Sequence, residues 1–97
     1  MSLELDTTPS LYQRAIAAWG EERQMRKLQE ECGEAIAATN RWYEHTGSTD
    51  SLAEEIADVE IMCEQARLVV GPARVEHFRK LKLERLADRL RASEGKL

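Results

Sequence analysis

Apolar residues recur at helical spacing along most of the chain, and polar residues fall on the opposite side. On a helical wheel, successive residues are about 100° apart. Between residues 21 and 44, one apolar stripe falls within an arc of about 100° on this wheel: Met25, Leu28, Cys32, Ala35, Ile36 and Thr39. Between residues 51 and 70, a second stripe comprises Leu52, Ile56, Val59, Cys63, Ala66 and Val70. The two stripes predict amphipathic helices whose apolar sides form the core.

Helix-starting and turn-forming residues divide the chain into four segments. Pro9 and Pro72 each stand where a helix can begin, because proline is tolerated in the first helical turn. Residues 45–51 form a loop-like cluster, in which Asp50 or Ser51 is expected to cap the following helix. The expected helices cover about residues 10–19, 21–44, 51–70 and 72–92.

The whole chain is predicted to be one all-α domain, spanning residues 1–97. Gly20 either separates or kinks the first two helices, and strand signals are absent. Four amphipathic helices pack most naturally as a bundle, so a four-helix bundle-like fold is expected. Because 97 residues with five aromatic side chains bury little surface, we also expect the chain to self-associate.

Charge is distributed unevenly, although the net charge is only −4. Residues 21–64 carry twelve acidic and four basic residues, whereas residues 65–97 carry nine basic and four acidic ones. The acidic balance argues against nucleic acid as a partner, and no apolar run approaches the about 20 residues of a membrane helix. We therefore predict a cytoplasmic protein with no membrane partner. Cys32 and Cys63 lack zinc-ligand spacing and are expected in the core.

Two acidic clusters share the same internal spacing and are separated by nineteen residues. They are Glu30, Glu31 and Glu34, and Glu54, Glu55 and Asp58. Positions i, i+1 and i+4 of a helix lie within about 100°, so each cluster occupies one helix face. The last two members of each cluster are three residues apart and close enough to share one ion.

Small or apolar residues continue both acidic faces, which indicates that protein covers them: Ala37, Ala38, Ile61 and Met62. Covered carboxylates need a partner, because an uncompensated buried charge costs several kcal/mol. Oxygen-only ligands favour hard divalent cations, so Mg²⁺ or Mn²⁺ is expected rather than zinc.

The stretch Glu30-Glu31-Cys32-Gly33-Glu34, followed by Glu54-Glu55-Ile56-Ala57-Asp58, resembles the paired motif of MazG-like nucleoside triphosphate pyrophosphohydrolases. The resemblance implies hydrolysis of a nucleoside triphosphate to the monophosphate and pyrophosphate, using two or three Mg²⁺ or Mn²⁺ ions. It also implies a homodimer or, more commonly, a homotetramer in which neighbouring subunits complete each site. Short single-domain members resemble viral enzymes of the MazZ kind, so a purine deoxynucleotide such as dGTP is the expected substrate.

The resemblance also assigns roles to individual residues. The implied metal ligands are Glu31, Glu34, Glu55 and Asp58, while Glu30 and Glu54 bind a further ion, orient the ligands or position the attacking water. The implied phosphate contacts are Lys80 and Arg85, with Lys82 as a rival, although Glu84 stands where many relatives have asparagine. The candidate contacts to the base are Trp19, Asn40, Trp42 and Tyr12.

Two other functions fit parts of the sequence. A helical oligomerisation or adaptor module could bind a basic partner with its acidic face, and it should be indifferent to millimolar Mg²⁺. A helix-turn-helix DNA-binding protein is disfavoured by the net charge of −4 and by the lack of a compact basic recognition helix after a short turn.

Overall fold

The chain folds into four helices in a computed structural model that describes residues 8–95. They are α1 (Thr8–Trp19), α2 (Glu21–Tyr43), α3 (Thr49–Val70) and α4 (Pro72–Glu94). No strand occurs within this range, which confirms the all-α prediction. None of these helices is both long and apolar enough to cross a bilayer.

Single glycines join α1 to α2 and α3 to α4. Gly20 has a φ of 91° and Gly71 a φ of 108°, values that L side chains rarely adopt. Gly20 therefore ends α1 rather than kinking a continuous helix. The connection between α2 and α3 is longer, and Ser48 caps α3 by accepting a hydrogen bond from the backbone N–H of Ser51 at 3.0 Å. The predicted cap at Asp50 or Ser51 is therefore wrong by two or three residues.

Helices α2 and α3 form an antiparallel hairpin, because residues near the start of α2 meet residues near the end of α3. Nε2 of Gln24 donates a hydrogen bond to Oε1 of Gln65 at 2.7 Å, and both side chains are buried. At the other end of the hairpin, the indole Nε1–H of Trp42 donates to Oγ1 of Thr49 at 3.2 Å. The hairpin thus holds the two acidic clusters at the same height.

The faces that meet inside the hairpin include one edge of each acidic cluster, since Glu31 and Glu55 are half-buried while the other acids of the clusters are exposed. Ala38 and Met62, which continue those faces, are the buried apolar residues of the described chain. The apolar stripes are only partly covered: Leu28 and Val59 are half-buried, whereas Ile36 is 66% exposed and Ile56 is 47% exposed. The prediction that the stripes form the core is therefore wrong within one chain, and Cys63 is likewise exposed.

Helix α4 packs against α3 alone among the described helices. An ion pair of 3.0 Å between Arg67 and Glu76 holds its first turns, and none of its residues is buried. The radius of gyration is 17.1 Å, whereas a compact domain of this length has about 12.5 Å. A single chain therefore leaves much of the apolar surface of α3 and α4 uncovered.

Candidate metal centre

Three carboxylates converge at the middle of the α2–α3 hairpin. Glu31 projects from α2, and Glu55 and Asp58 project from adjacent turns of α3. One oxygen from each of the three lies within 4.8 Å of the others. We call Glu31, Glu55 and Asp58 the carboxylate trio. It contains one residue of the first acidic cluster and two residues of the second. The antiparallel hairpin accounts for this convergence, since it brings both acidic faces together.

Glu55 is the most constrained member of the trio. Its side chain is half-buried, and its Oε2 atom is buried without a hydrogen-bond partner. Burial raises the pKa of Glu55 above its usual value, and the charges of Glu34, Asp58 and Glu31 raise it further, while Arg41 lowers it. Ionisation of a carboxylate whose oxygen is buried, unpartnered and surrounded by other acids costs free energy, and a bound cation would offset that cost.

The trio fits a small divalent cation. All of its donors are carboxylate oxygens, the ligand type that Mg²⁺ and Mn²⁺ accept and that does not favour zinc. Oxygen ligands about 2.1 Å from one octahedral ion lie at most about 4.2 Å apart. Only one pair of three ligands can lie trans, and cis oxygens are about 3.0 Å apart, so oxygens that lie within 4.8 Å of one another would draw together by up to about 1.8 Å on binding an ion. The unpartnered oxygen of Glu55 would gain the partner that the protein does not provide.

The other predicted acidic residues lie outside the trio. Glu34 is exposed but close enough for its charge to act on Glu55. Glu30 is exposed and pairs with Lys27 at 3.6 Å, while Glu54 is exposed and has no ion pair within residues 8–95. The structure thus brings together three of the four predicted metal ligands and leaves Glu34 at the edge.

Two basic residues of α2 lie beside the carboxylate trio, and neither was predicted as a site residue. Nζ of Lys27 lies 3.3 Å from Oε1 of Glu31, and this contact, followed by the charges of Glu31 and Glu30, raises the pKa of Lys27. Arg41 lies close enough to lower the pKa of Glu55. Their spacing in the sequence indicates that they share a helix face with the acids, because Lys27 precedes Glu31 by four residues and Arg41 follows Glu34 by seven.

The predicted phosphate contacts lie on a different part of the molecule. Lys80, Lys82 and Arg85 are exposed on α4, and their side chains form no ion pair with the described residues. Helix α4 does not approach α2, which supplies Glu31 and Glu34. Within one chain, these three basic residues are therefore not joined to the carboxylate trio by contact.

The predicted contacts to the base are divided between the two ends of α2. Trp19 ends α1, with the Arg23 guanidinium 5.9 Å from its ring centre, whereas Asn40 and Trp42 lie in the last turn of α2. At 1.5 Å per residue, the two ends of this helix are about 30 Å apart. Tyr12 instead hydrogen-bonds Glu64, which raises the pKa of the tyrosine. One chain therefore does not bring these residues around a single base.

In comparisons with known proteins, no family model matches the chain, and no curated protein or solved structure is significantly similar to it.

Proposed function

We propose that the protein hydrolyses a nucleoside triphosphate to the monophosphate and pyrophosphate with Mg²⁺ or Mn²⁺, as its motifs' resemblance to MazG-like pyrophosphohydrolases implies. The observation that carries the proposal is the unpartnered Glu55 oxygen inside an all-carboxylate trio. Glu31, Glu34, Glu55 and Asp58 would hold two or three ions. A purine deoxynucleotide such as dGTP is the proposed substrate.

The residues of the hairpin have separate tasks in this reaction. Bound ions would neutralise the triphosphate, polarise the α-phosphorus and lower the pKa of the attacking water. Glu31, Glu55 and Asp58 fix the position of that charge, because they project from helices that the Gln24–Gln65 hydrogen bond aligns. Glu30 and Glu54 are exposed beside the trio, where they can orient its members or accept a proton from water.

Binding of the phosphate chain would require a neighbouring subunit in this proposal. Helix α3 carries a net charge of −5 and α4 a net charge of +3, so the two attract each other between chains. The α4 helix of a neighbour would bring Lys80 and Arg85, or Lys82, to the phosphates. Trp19 of one chain and Asn40 and Trp42 of another could then contact the same base. A homotetramer is the proposed assembly.

The position of bond cleavage tests the proposed chemistry. We expect nucleoside monophosphate and pyrophosphate to appear together, with no accumulation of diphosphate, because pyrophosphate is the leaving group. In water labelled with heavy oxygen, mass spectrometry should find the label in the monophosphate. A screen of the common ribo- and deoxynucleoside triphosphates with Mg²⁺ or Mn²⁺ identifies the substrate. Label in free orthophosphate would contradict the mechanism, and no turnover with any nucleotide would favour the adaptor function.

The proposed assembly has its own test, which does not depend on catalysis. Light scattering at micromolar concentration should give about four times the 11.1 kDa mass of one chain. Leu86 is 60% exposed on α4, so Leu86→Asp should lower the measured mass by placing a charge in the interface. Ser93→Asp, on the same helix, should leave the mass unchanged. A wild-type mass near that of one chain would contradict the assembly.

A further inference from the structure

Lys27 occupies a special position beside the carboxylate trio. Its Nζ atom lies 3.3 Å from Glu31, a member of the trio, and 3.6 Å from Glu30. Within residues 8–95, no other basic residue forms an ion pair with the trio. The Glu31 side chain is only 13% exposed, so water screens this contact less than it screens a surface ion pair.

A divalent cation bound by the trio would alter this contact. An ion bound by Glu31 would compete with the ammonium group for the charge of this carboxylate, and the two cations repel each other at close range. Lysine adapts to such a change, because its charge stands on a flexible four-carbon stem with three rotatable donors. The Lys27 side chain is 51% exposed, so it is free to move outward from the trio.

The space outside the trio is where a metal-bound phosphate would lie. A lysine side chain places its ammonium about 6 Å from its Cα atom, far enough to reach a group bound beside the neighbouring turn. Phosphate oxygens are strong acceptors for ammonium groups. Lys27 therefore has an alternative partner at the moment when its ion pair with Glu31 weakens.

We propose that Lys27 is the counter-ion of Glu31 in the metal-free trio and that its ammonium moves from Glu31 to the phosphate chain when metal and nucleotide bind. This inference rests on the proposed function, since it requires a metal at the trio. It assigns phosphate binding to a residue of α2, in addition to any contribution from α4. Lys27 thus links metal binding to phosphate binding through one side chain.

The test measures the binding of two probes without relying on turnover. Lys27→Met removes the charge at nearly constant length, so it should tighten binding of Mn²⁺ alone by about threefold to fivefold. With saturating Mg²⁺, the same variant should bind inorganic tripolyphosphate about tenfold more weakly. Lys27→Arg, which keeps the charge, should retain most of the tripolyphosphate affinity. Calorimetry provides both dissociation constants, and circular dichroism checks that the variants fold.

Arg26→Met is the matched control. Arg26 precedes Lys27 and pairs with Glu22 at 2.9 Å, away from the trio, so its removal should leave both affinities within about twofold. Wild-type binding of Mn²⁺ combined with unchanged affinities in Lys27→Met would overturn the role of Lys27 while leaving the proposed function intact. Tighter Mn²⁺ binding with unchanged tripolyphosphate affinity would overturn the transfer to phosphate. A wild-type protein that binds no Mn²⁺ would overturn both proposals.

Discussion

Replacing Asp58 with asparagine should reduce nucleoside triphosphate hydrolysis by about a thousandfold while the helices remain folded. The substitution keeps the shape of the side chain but removes the charge of a trio member that projects from α3. A metal ion held by fewer carboxylates binds more weakly and is placed less well for in-line attack. The expected loss is therefore mainly in kcat, measured at saturating Mg²⁺ with the best substrate from the nucleotide screen.

Glu60→Gln is the matched control for this experiment. Glu60 also lies on α3 and is exposed, but it is not part of the trio. It should retain activity within about twofold, because an exposed charge outside the trio contributes little. Glu34→Gln should behave like Asp58→Asn if Glu34 moves in from the edge to bind metal. Full activity in Asp58→Asn would exclude the trio as the catalytic metal site.

The helices were predictable because their signals are local. Pro72 begins α4, glycines separate two pairs of helices, and the loop near residues 44–48 divides α2 from α3. The cap was missed because Ser48, Asp50 and Ser51 all have side chains that can accept from a backbone N–H. Only the path of the loop decides which one does, and it turns Ser48 toward the N–H of Ser51.

The pairing of helix faces was only partly predictable. Small and apolar residues beside the acids indicated covered acidic faces, and Ala38 and Met62 are buried there, but four of the six acids are exposed. The same periodicity placed the apolar stripes in the core of one chain, whereas Ile36 and Ile56 are exposed. A sequence pattern shows which residues share a face, but it does not show whether the same chain or another covers that face.

The candidate metal centre was also only partly predictable from the sequence. Glu31, Glu55 and Asp58 were expected as metal ligands, together with Glu34, from the paired motif and its resemblance, and the hairpin brings these three together. Lys27 was missed because an i, i+4 lysine–glutamate pair is a common feature of exposed helix faces. Only the low exposure of the Glu31 side chain, 13%, and its place in the trio distinguish this pair from an ordinary one.

The partly covered acids and the exposed apolar residues both affect the stability of one chain. A lone hairpin that half-buries Glu31 and Glu55 while leaving Ile36 and Ile56 exposed departs from the usual arrangement of an amphipathic helix. Both features oppose folding of one isolated chain, since like charges repel and exposed apolar surface contributes no stability. A cation at the trio would relieve the repulsion, and neighbouring chains would cover the stripes. Metal binding and self-association should therefore support the same folded state.

Replacing Glu55 with glutamine should have opposite effects on stability with and without metal. In the fold, burial and neighbouring acids raise the pKa of Glu55, whereas in the unfolded chain it returns to its ordinary value of about 4.3. Below that value the group is protonated in both states and carries no penalty. As the pH rises above that value, the unfolded chain ionises first and the metal-free fold loses stability, and the loss is complete once the pH exceeds the raised pKa of the folded state. Glutamine stays neutral, so Glu55→Gln should unfold at a higher temperature than wild type in EDTA at pH 7, with the difference vanishing near pH 4.

Excess Mg²⁺ should reverse this order. A ligand at a hundred times its dissociation constant that binds only the folded state adds about 2.7 kcal/mol, or about 10 °C or more in the unfolding midpoint of a domain this small. Wild type should gain this increment at fixed ionic strength, and Glu55→Gln should lose most of it because the buried ligand charge is gone. Scanning calorimetry at equal protein concentration measures all four midpoints, with Glu60→Gln as the control that should respond to Mg²⁺ like wild type. An equal Mg²⁺ response in Glu55→Gln would show that the ion binds elsewhere, whereas a wild-type midpoint unaffected by Mg²⁺ or Mn²⁺ would count against any metal at the trio.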